Sequence, residues 1–204
     1  MKRDHLYFLI TILLAGSFLG CAGFSKKKFA KDLENLSAEN ISRLEGNYVL
    51  NPISSYTKSG ATKIAGHSRD SIKFNNAYDF IVNQNFMQKR QLNTIKSVNN
   101  TILLNLKFEN NKQLSVKVLE NSMPIVETVI SGEFKDGMFY LDNKFLKWTG
   151  VPYLLGGSQN NKRRIGLAKN GNLLINEAVS NNGAFLFIFW AGSDYNLTYE
   201  YQRE

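Results

Sequence analysis

From Gly46 to the end of the chain, apolar and polar residues mostly alternate with period two. In "TILLNLKF", Ile102, Leu104, Leu106 and Phe108 share one face while Leu103, Asn105 and Lys107 take the other. That is the pattern of a strand buried on one side. After the turn residues "ENNK", "QLSVKVL" repeats it with Leu114, Val116 and Val118, which predicts a hairpin. Further strands are expected over "PIVETVIS", "GEF", "MFYLD", "RRIGLAK", "NLLINEA", "AFLFIFW" and "YNLTYEYQR". Asp136-Gly137 and Asn170-Gly171 supply the positive φ angles of primed hairpin turns. "NNG" (181–183) and "AGSD" (191–194) read as two more turns.

Period two fails in two places. Between Phe24 and Glu45 the spacing of Phe29, Leu33, Leu36 and Leu44 suits a short amphipathic helix or turn leading into the domain. Over residues 68–91, "NNAYDFIVNQNF" fits a short helix capped by Asn75 or Asn76, or an irregular strand. So many consecutive hairpins predict an all-β protein, an antiparallel up-and-down sheet of eight to ten strands. A sheet of that size hides its edges by closing into a barrel or folding into a sandwich.

The start of the chain has a different character. Lys2 and Arg3 precede an apolar run from Leu6 to Leu14, followed by the small residues Ala15, Gly16 and Ser17. A charged start, a short apolar core and a small-residue cleavage region define a secretory signal peptide. The run is shorter than the roughly 20 residues of a membrane span. It stops at "FLGC", which resembles the lipobox of bacterial lipoproteins. The resemblance implies cleavage after Gly20 and acylation of Cys21, with palmitate or similar chains holding the mature protein on a membrane. Residues 1–20 are then the signal, 21–45 a lipid-anchored tether with the short amphipathic helix, and 46–204 the β domain. Ala22, in place of the Asp that favours inner-membrane retention, implies the outer membrane. The basic "SKKKF" after it, in place of an acidic export tract, implies the periplasmic side of the cell envelope.

Charge and chemistry narrow the picture further. The chain carries +8, but its positive residues are scattered apart from Lys26–Lys28 and "NKRR" at 161–164. With an envelope address this reads as solubility and attraction to anionic lipid, and no nucleic acid is expected. One cysteine excludes an internal disulfide. With Cys21 acylated and His67 the only histidine after the signal, no Cys/His metal cluster is expected. No nucleophile elbow of the Gly-x-Ser-x-Gly kind accompanies His67. Neither catalytic residues nor a cofactor is expected, and the protein reads as a non-enzyme.

"NISRLEGNY" (40–48) resembles the opening motif of lipocalins and their calycin relatives, with Tyr48 in place of the usual Trp. "TGVPYLLGG" and the closing "YEYQR" are similar to segments of small Bacteroidota envelope lipoproteins of lipocalin-like type. The resemblance chooses the barrel over the sandwich. It also implies that a late Arg packs across the opening aromatic ring. Alternation puts Leu197, Tyr199, Tyr201 and Arg203 on one face, so Tyr48 and Arg203 are expected to meet at the barrel base. "AFLFIFW" is apolar on both faces, so a strand there would be covered on both sides. A ligand site lined by Phe185, Phe187, Phe189, Tyr199 and Tyr201 follows as an expectation, for a hydrophobic small molecule. The alternative is a non-catalytic adaptor with a side-chain-filled barrel and an envelope protein as partner.

Overall fold

The computed structural model describes residues 22–57, 59–64, 75–82, 92, 102–151, 155–185 and 189–204. Among them are eleven strands: β1 (Gly46–Val49), β2 (Ser54–Thr57), β3 (Gly60–Lys63), β4 (Ile102–Asn110), β5 (Gln113–Glu120), β6 (Met123–Lys135), β7 (Met138–Leu141), β8 (Phe145–Val151), β9 (Leu155–Leu167), β10 (Leu173–Phe185) and β11 (Phe189–Tyr201). Every pairing is antiparallel, and the fold is all-β. The strand order is β1-β4-β5-β6-β7-β9-β10-β11-β2-β3, with β8 added on β9.

The expected closed barrel is not what the ladders form, because the sheet ends at β1 and β3. Its two flanks nevertheless approach at one place. An isolated bridge joins Tyr48 to Arg203, Val49 N–H donates to Gln202 O at 2.8 Å, and Glu204 N–H donates to Asn47 O at 2.9 Å. The sheet therefore curls, with one face turned inward. On that inner face Tyr48, Leu104, Val116, Ile130, Phe139, Ile165, Ile175 and Tyr201 join one core drawn from strands across the whole sheet.

A short helix lies inside this curl. Helix α1 (Ala77–Val82) buries Ala77, Tyr78 and Ile81 in the same core. Asn76 caps it: its Oδ1 accepts from Asp79 N–H at 2.9 Å and its Nδ2 donates to Asp79 Oδ2 at 2.8 Å. The cap satisfies an N-terminal amide that a first helical turn leaves without an internal partner. Tyr78 Oη and Thr128 Oγ1 share a hydrogen bond of 2.7 Å, tying α1 to β6.

Three turns show how local chemistry sets register. Asp136 and Gly137 have φ of 52° and 76° between the paired Lys135 and Met138, as a primed two-residue turn requires. Asn121 and Ser122, with φ of 51° and 68°, do the same between Glu120 and Met123. Asn170-Gly171 differs from expectation. Leu167 pairs with Leu173, so the loop has five residues, and of these only Gly171 has positive φ.

Three expectations are corrected. "PIVETVIS" and "GEF" are one continuous strand, β6. "NNG" and "AGSD" are not turns: Asn182 pairs with Gly192 and Gly183 with Ala191 inside one long β10–β11 ribbon. "AFLFIFW" is accordingly no single strand: Phe185 ends β10 and Phe189 begins β11. Backbone pairing continues through Asn and Gly because the neighbouring strands, β9 included, supply partners at each position. Between Phe24 and Glu45, where a short amphipathic helix or turn is expected, the chain takes the turn. A four-residue 3₁₀ turn (Ile41–Leu44) is the helical element there, and Phe29 and Leu36 enter different clusters.

The segment before the 3₁₀ turn crosses the outer face of the sheet. Phe29 packs there with Tyr56, Met138, Ala168 and Leu174. Glu34 N–H donates to Leu167 O and Lys169 N–H to Asp32 O, at 2.8 and 2.7 Å.

Candidate functional site

Two places combine functional chemistry with tight geometry: the junction of the first and last strands, and the inner face of the sheet beyond the core.

At the junction, the Arg203 guanidinium lies 5.6 Å from the Tyr48 ring centroid, within reach of a cation–π contact. Its Nη1 donates to Arg43 O at 2.8 Å and its Nη2 to Glu45 O. Tyr48 is fully buried, and its hydroxyl donates to Leu44 O at 2.8 Å. Burial pushes the Tyr48 phenol up to about 12, against the opposing pull of Arg203. One guanidinium thus satisfies the carbonyls left free where the 3₁₀ turn ends, and these two residues are brought together as paired. The cluster is filled and hydrogen-bonded, which suits architecture and leaves no room for a ligand.

Of the residues expected to line a ligand site, Tyr199 and Tyr201 pack into the core. Tyr201 is fully buried and its hydroxyl donates to Asn75 O at 2.7 Å. Tyr199 packs edge-to-face on Phe80 at 5.4 Å. Both rings serve the core around α1. Phe185 and Phe189 pair with each other at the end of the β10–β11 ribbon; their side chains, with Phe187, Gly20, Cys21 and His67, lie outside the described residues.

Beyond the core the inner face turns polar. By strand alternation, Leu173 and Ile175 are followed on that face of β10 by Glu177, Val179, Asn181 and Gly183. Their cross-strand neighbours on β9 are Arg163, Asn161, Gln159 and Gly157. Arg163 is only 2% exposed and Glu177 and Asn161 are equally sheltered. Arg163 Nη1 donates to Phe80 O at 3.3 Å and its Nη2 to Asn143 O at 3.4 Å. Asn143 Nδ2 donates to Ile81 O and Val82 O at 2.7 and 3.2 Å. The two side chains therefore cap the C-terminal carbonyls of α1.

Glu177 accepts a hydrogen bond from Asn161 Nδ2. Burial pushes its carboxyl up, opposed by Arg163 and the Asn161 bond. Burial likewise pushes Arg163 down to about 10, opposed by Glu177. Within this network several buried atoms have no partner: Arg163 Nε, Asn143 Oδ1, Asn161 Oδ1 and Asn181 Oδ1. Native proteins rarely leave such groups orphaned, and buried water commonly satisfies them.

The polar face opens outward into a groove of ≈ 690 Å³ between β8, β9, β10 and the start of β11. Lys147, Thr149, Gln159, Asn181, Gly183 and Ser193 are among its lining. Tyr195 lies on the same face, opposite Val179, and is 41% exposed. Glycine keeps the floor low: a Cβ on Gly157 would sit 2.8 Å from Asn182 O.

The pattern did carry a signal for this site. Asn161 and Arg163 continue the apolar stripe of Ile165 and Leu167, and Glu177 sits between Ile175 and Val179. Polar residues inside a buried stripe mark a site or a cap, and here Arg163 caps α1.

Among the described residues no cluster of three or more His, Cys, Asp or Glu is placed to hold a metal ion, and no helix is long and apolar enough to cross a membrane. No family model, curated protein or solved structure matches the chain.

Proposed function

We propose that this protein is a lipid-anchored, non-catalytic binding protein of the bacterial cell envelope, held on the outer membrane through Cys21. Its ligand is a small, uncharged molecule rich in hydroxyl or amide groups, taken into the inner-face groove. The address rests on the signal-like start and "FLGC". The binding reading rests on one observation: the groove is lined by hydroxyl and amide side chains, Thr149, Gln159, Asn181 and Ser193 among them.

This shifts the expected ligand from apolar to polar. An apolar carrier needs a hydrophobic lining with few polar groups, whereas the groove presents Lys147, Thr149, Gln159, Asn181 and Ser193. Amides, hydroxyls and one exposed aromatic ring, Tyr195, match the chemistry of a saccharide.

The test is native mass spectrometry of the protein purified under mild conditions, then calorimetric titration with neutral oligosaccharides. Gly183 lines the groove, and a Cβ there meets only ordinary contacts at 3.6 and 3.9 Å, so Gly183→Val fills the space with little strain. Saturable binding lost in Gly183→Val supports the proposal. Saturable binding of a fatty acid in place of saccharides returns the case to the apolar carrier.

A second reading, an adaptor for another envelope protein, is favoured by a different observation. Helix α1 and the core side chains fill the closed half of the curl, as expected of a domain that works through its surface. No bound molecule and no saturable titration would support it.

A further inference from the structure

The tether expected over residues 21–45 is fastened to the sheet from Ala22 onward. Lys162 Nζ donates to Ala22 O at 3.3 Å and Asn196 Nδ2 to Gly23 O at 3.0 Å. Ser25 N–H donates to Asn196 Oδ1, and Arg164 Nη2 donates to Ser25 O, both at 3.1 Å. Phe24 lies between the Tyr140 ring at 5.2 Å and the Arg164 guanidinium at 4.4 Å. Ala22 and Gly23, the first described residues, therefore lie on the outer face of β9 and β11, beside Lys162 and Asn196.

That face continues into an exposed apolar pair. Asn160 and Ser158 follow Lys162 on the outer face of β9, about 7 and 13 Å further along. Their partners on β8 are Leu146 and Trp148, which are 57% and 58% exposed. No acidic residue lies on the outer face of β9 between Ser158 and Arg164, and the nearest acid on the outer face of the ribbon is Asp194, paired with Ser180. A large exposed Trp and its apolar neighbour, on the same face as Lys162 and the start of the anchored segment, are what a bilayer interface accepts: aromatic rings at headgroup level, cations near anionic lipid.

We propose that the outer face of β8 and β9 is a membrane-contact surface, with Trp148 and Leu146 seated in the headgroup region of the leaflet that holds the Cys21 acyl chains. The domain then sits flush on the bilayer, not on a tether, and the inner-face groove turns away from lipid. This inference rests on the lipoprotein reading, because without acylation nothing brings this face to a membrane.

The test uses the full chain made in a lipidating bacterium and reconstituted into vesicles of phosphatidylethanolamine and phosphatidylglycerol. The mass of the N-terminal peptide reports acylation of Cys21. The chain has 2 tryptophans, so Trp190→Phe leaves Trp148 as the sole indole. Vesicle binding should then blue-shift its emission, and lipids brominated near the headgroup end of the acyl chain should remove most of it. If Trp190→Phe does not fold, the quenched emission lost between the unmutated protein and Trp148→Ser gives the same quantity. Acylated protein whose Trp148 stays unquenched and open to aqueous iodide overturns the contact surface while the lipoprotein reading stands. A Cys21 without acyl chains removes that reading, and the contact surface with it.

Discussion

Gly46 and Arg203 occupy each other's space: a Cβ on Gly46 would lie 2.9 Å from Arg203 Nη2, and Gly46 itself has φ of 141°. The glycine is required twice, by its backbone angle and by the guanidinium that crosses it. Gly46→Ala should therefore cost about 1–3 kcal/mol of stability, read from the urea midpoint. An unchanged midpoint would mean that the guanidinium contact is dispensable.

Arg203→Ala removes the contact with Tyr48 and two bonds to backbone carbonyls. The expected loss is about 1–3 kcal/mol, with export and processing unchanged. Arg203→Lys should recover only part of it, because one ammonium cannot serve Arg43 O and Glu45 O in a planar fork while covering a ring. Full recovery by lysine in chemical denaturation would contradict this geometry.

Glu200 is a structural carboxylate. Burial alone would raise it, but bonds from Asn170, Asn172, Ser54 and Tyr56 outweigh burial and hold it below the usual carboxylate range. Ser54 Oγ donates to Oε2 at 2.8 Å, while Asn170 and Asn172 donate to Oε1 at 2.8 and 2.7 Å. A depressed folded value stabilises above the unfolded value and is lost as pH falls through the folded one. Glu200→Gln should cost about 1–3 kcal/mol at neutral pH, and the gap should close in acid. Parallel denaturation curves of the two proteins across the acid range would disprove it.

Glu177 should behave in the opposite sense. Its carboxyl is raised by burial, so its contribution is present below the unfolded value and lost as pH rises through the folded one. Relative to wild type, Glu177→Gln should gain stability, on the order of 1 kcal/mol, between acid and neutral pH. The difference in melting temperature between the two proteins, followed against pH, reads the sign directly.

Arg164, only 2% exposed, holds the N-terminal segment by its Ser25 bond, a 2.8 Å bond from Nε to Asn176 Oδ1, and its stacking on Phe24. Arg164→Ala should release residues 22–29 while β9–β11 stay paired. Hydrogen exchange should rise severalfold in that segment alone. Global loss of protection would show that the guanidinium supports the sheet and not the segment.

Cys21→Ala should leave a larger precursor that takes up no palmitate. Metabolic labelling and the mass of the purified protein decide this, and labelled Cys21→Ala protein would refute the anchor.

What the sequence determined by itself is local. Period-two alternation in "TILLNLKF" and "QLSVKVL" is enough to define β4, β5 and their buried faces, since side-chain direction in a strand depends only on parity. Asp136-Gly137 defines a turn because positive φ is a property of those residues. The meeting of Tyr48 with Arg203 was legible through the likeness of "NISRLEGNY" to the calycin opening. Tertiary structure decided the rest. "NNG" and "AGSD" have turn chemistry, but thirteen consecutive pairs between β10 and β11, with β9 alongside, outweigh a local preference worth about 1 kcal/mol per residue. Tyr201 looked available to a ligand until α1, some 120 residues earlier in the chain, put Asn75 O against its hydroxyl. The polar groove depends on cross-strand pairs between β8, β9, β10 and β11, and parity within one strand says nothing about which neighbour lies opposite. Nor could composition show that "AGFS", written like a linker, is bound through Lys162, Arg164 and Asn196. Those bonds join residues more than 130 positions apart, and only the folded sheet brings them within reach.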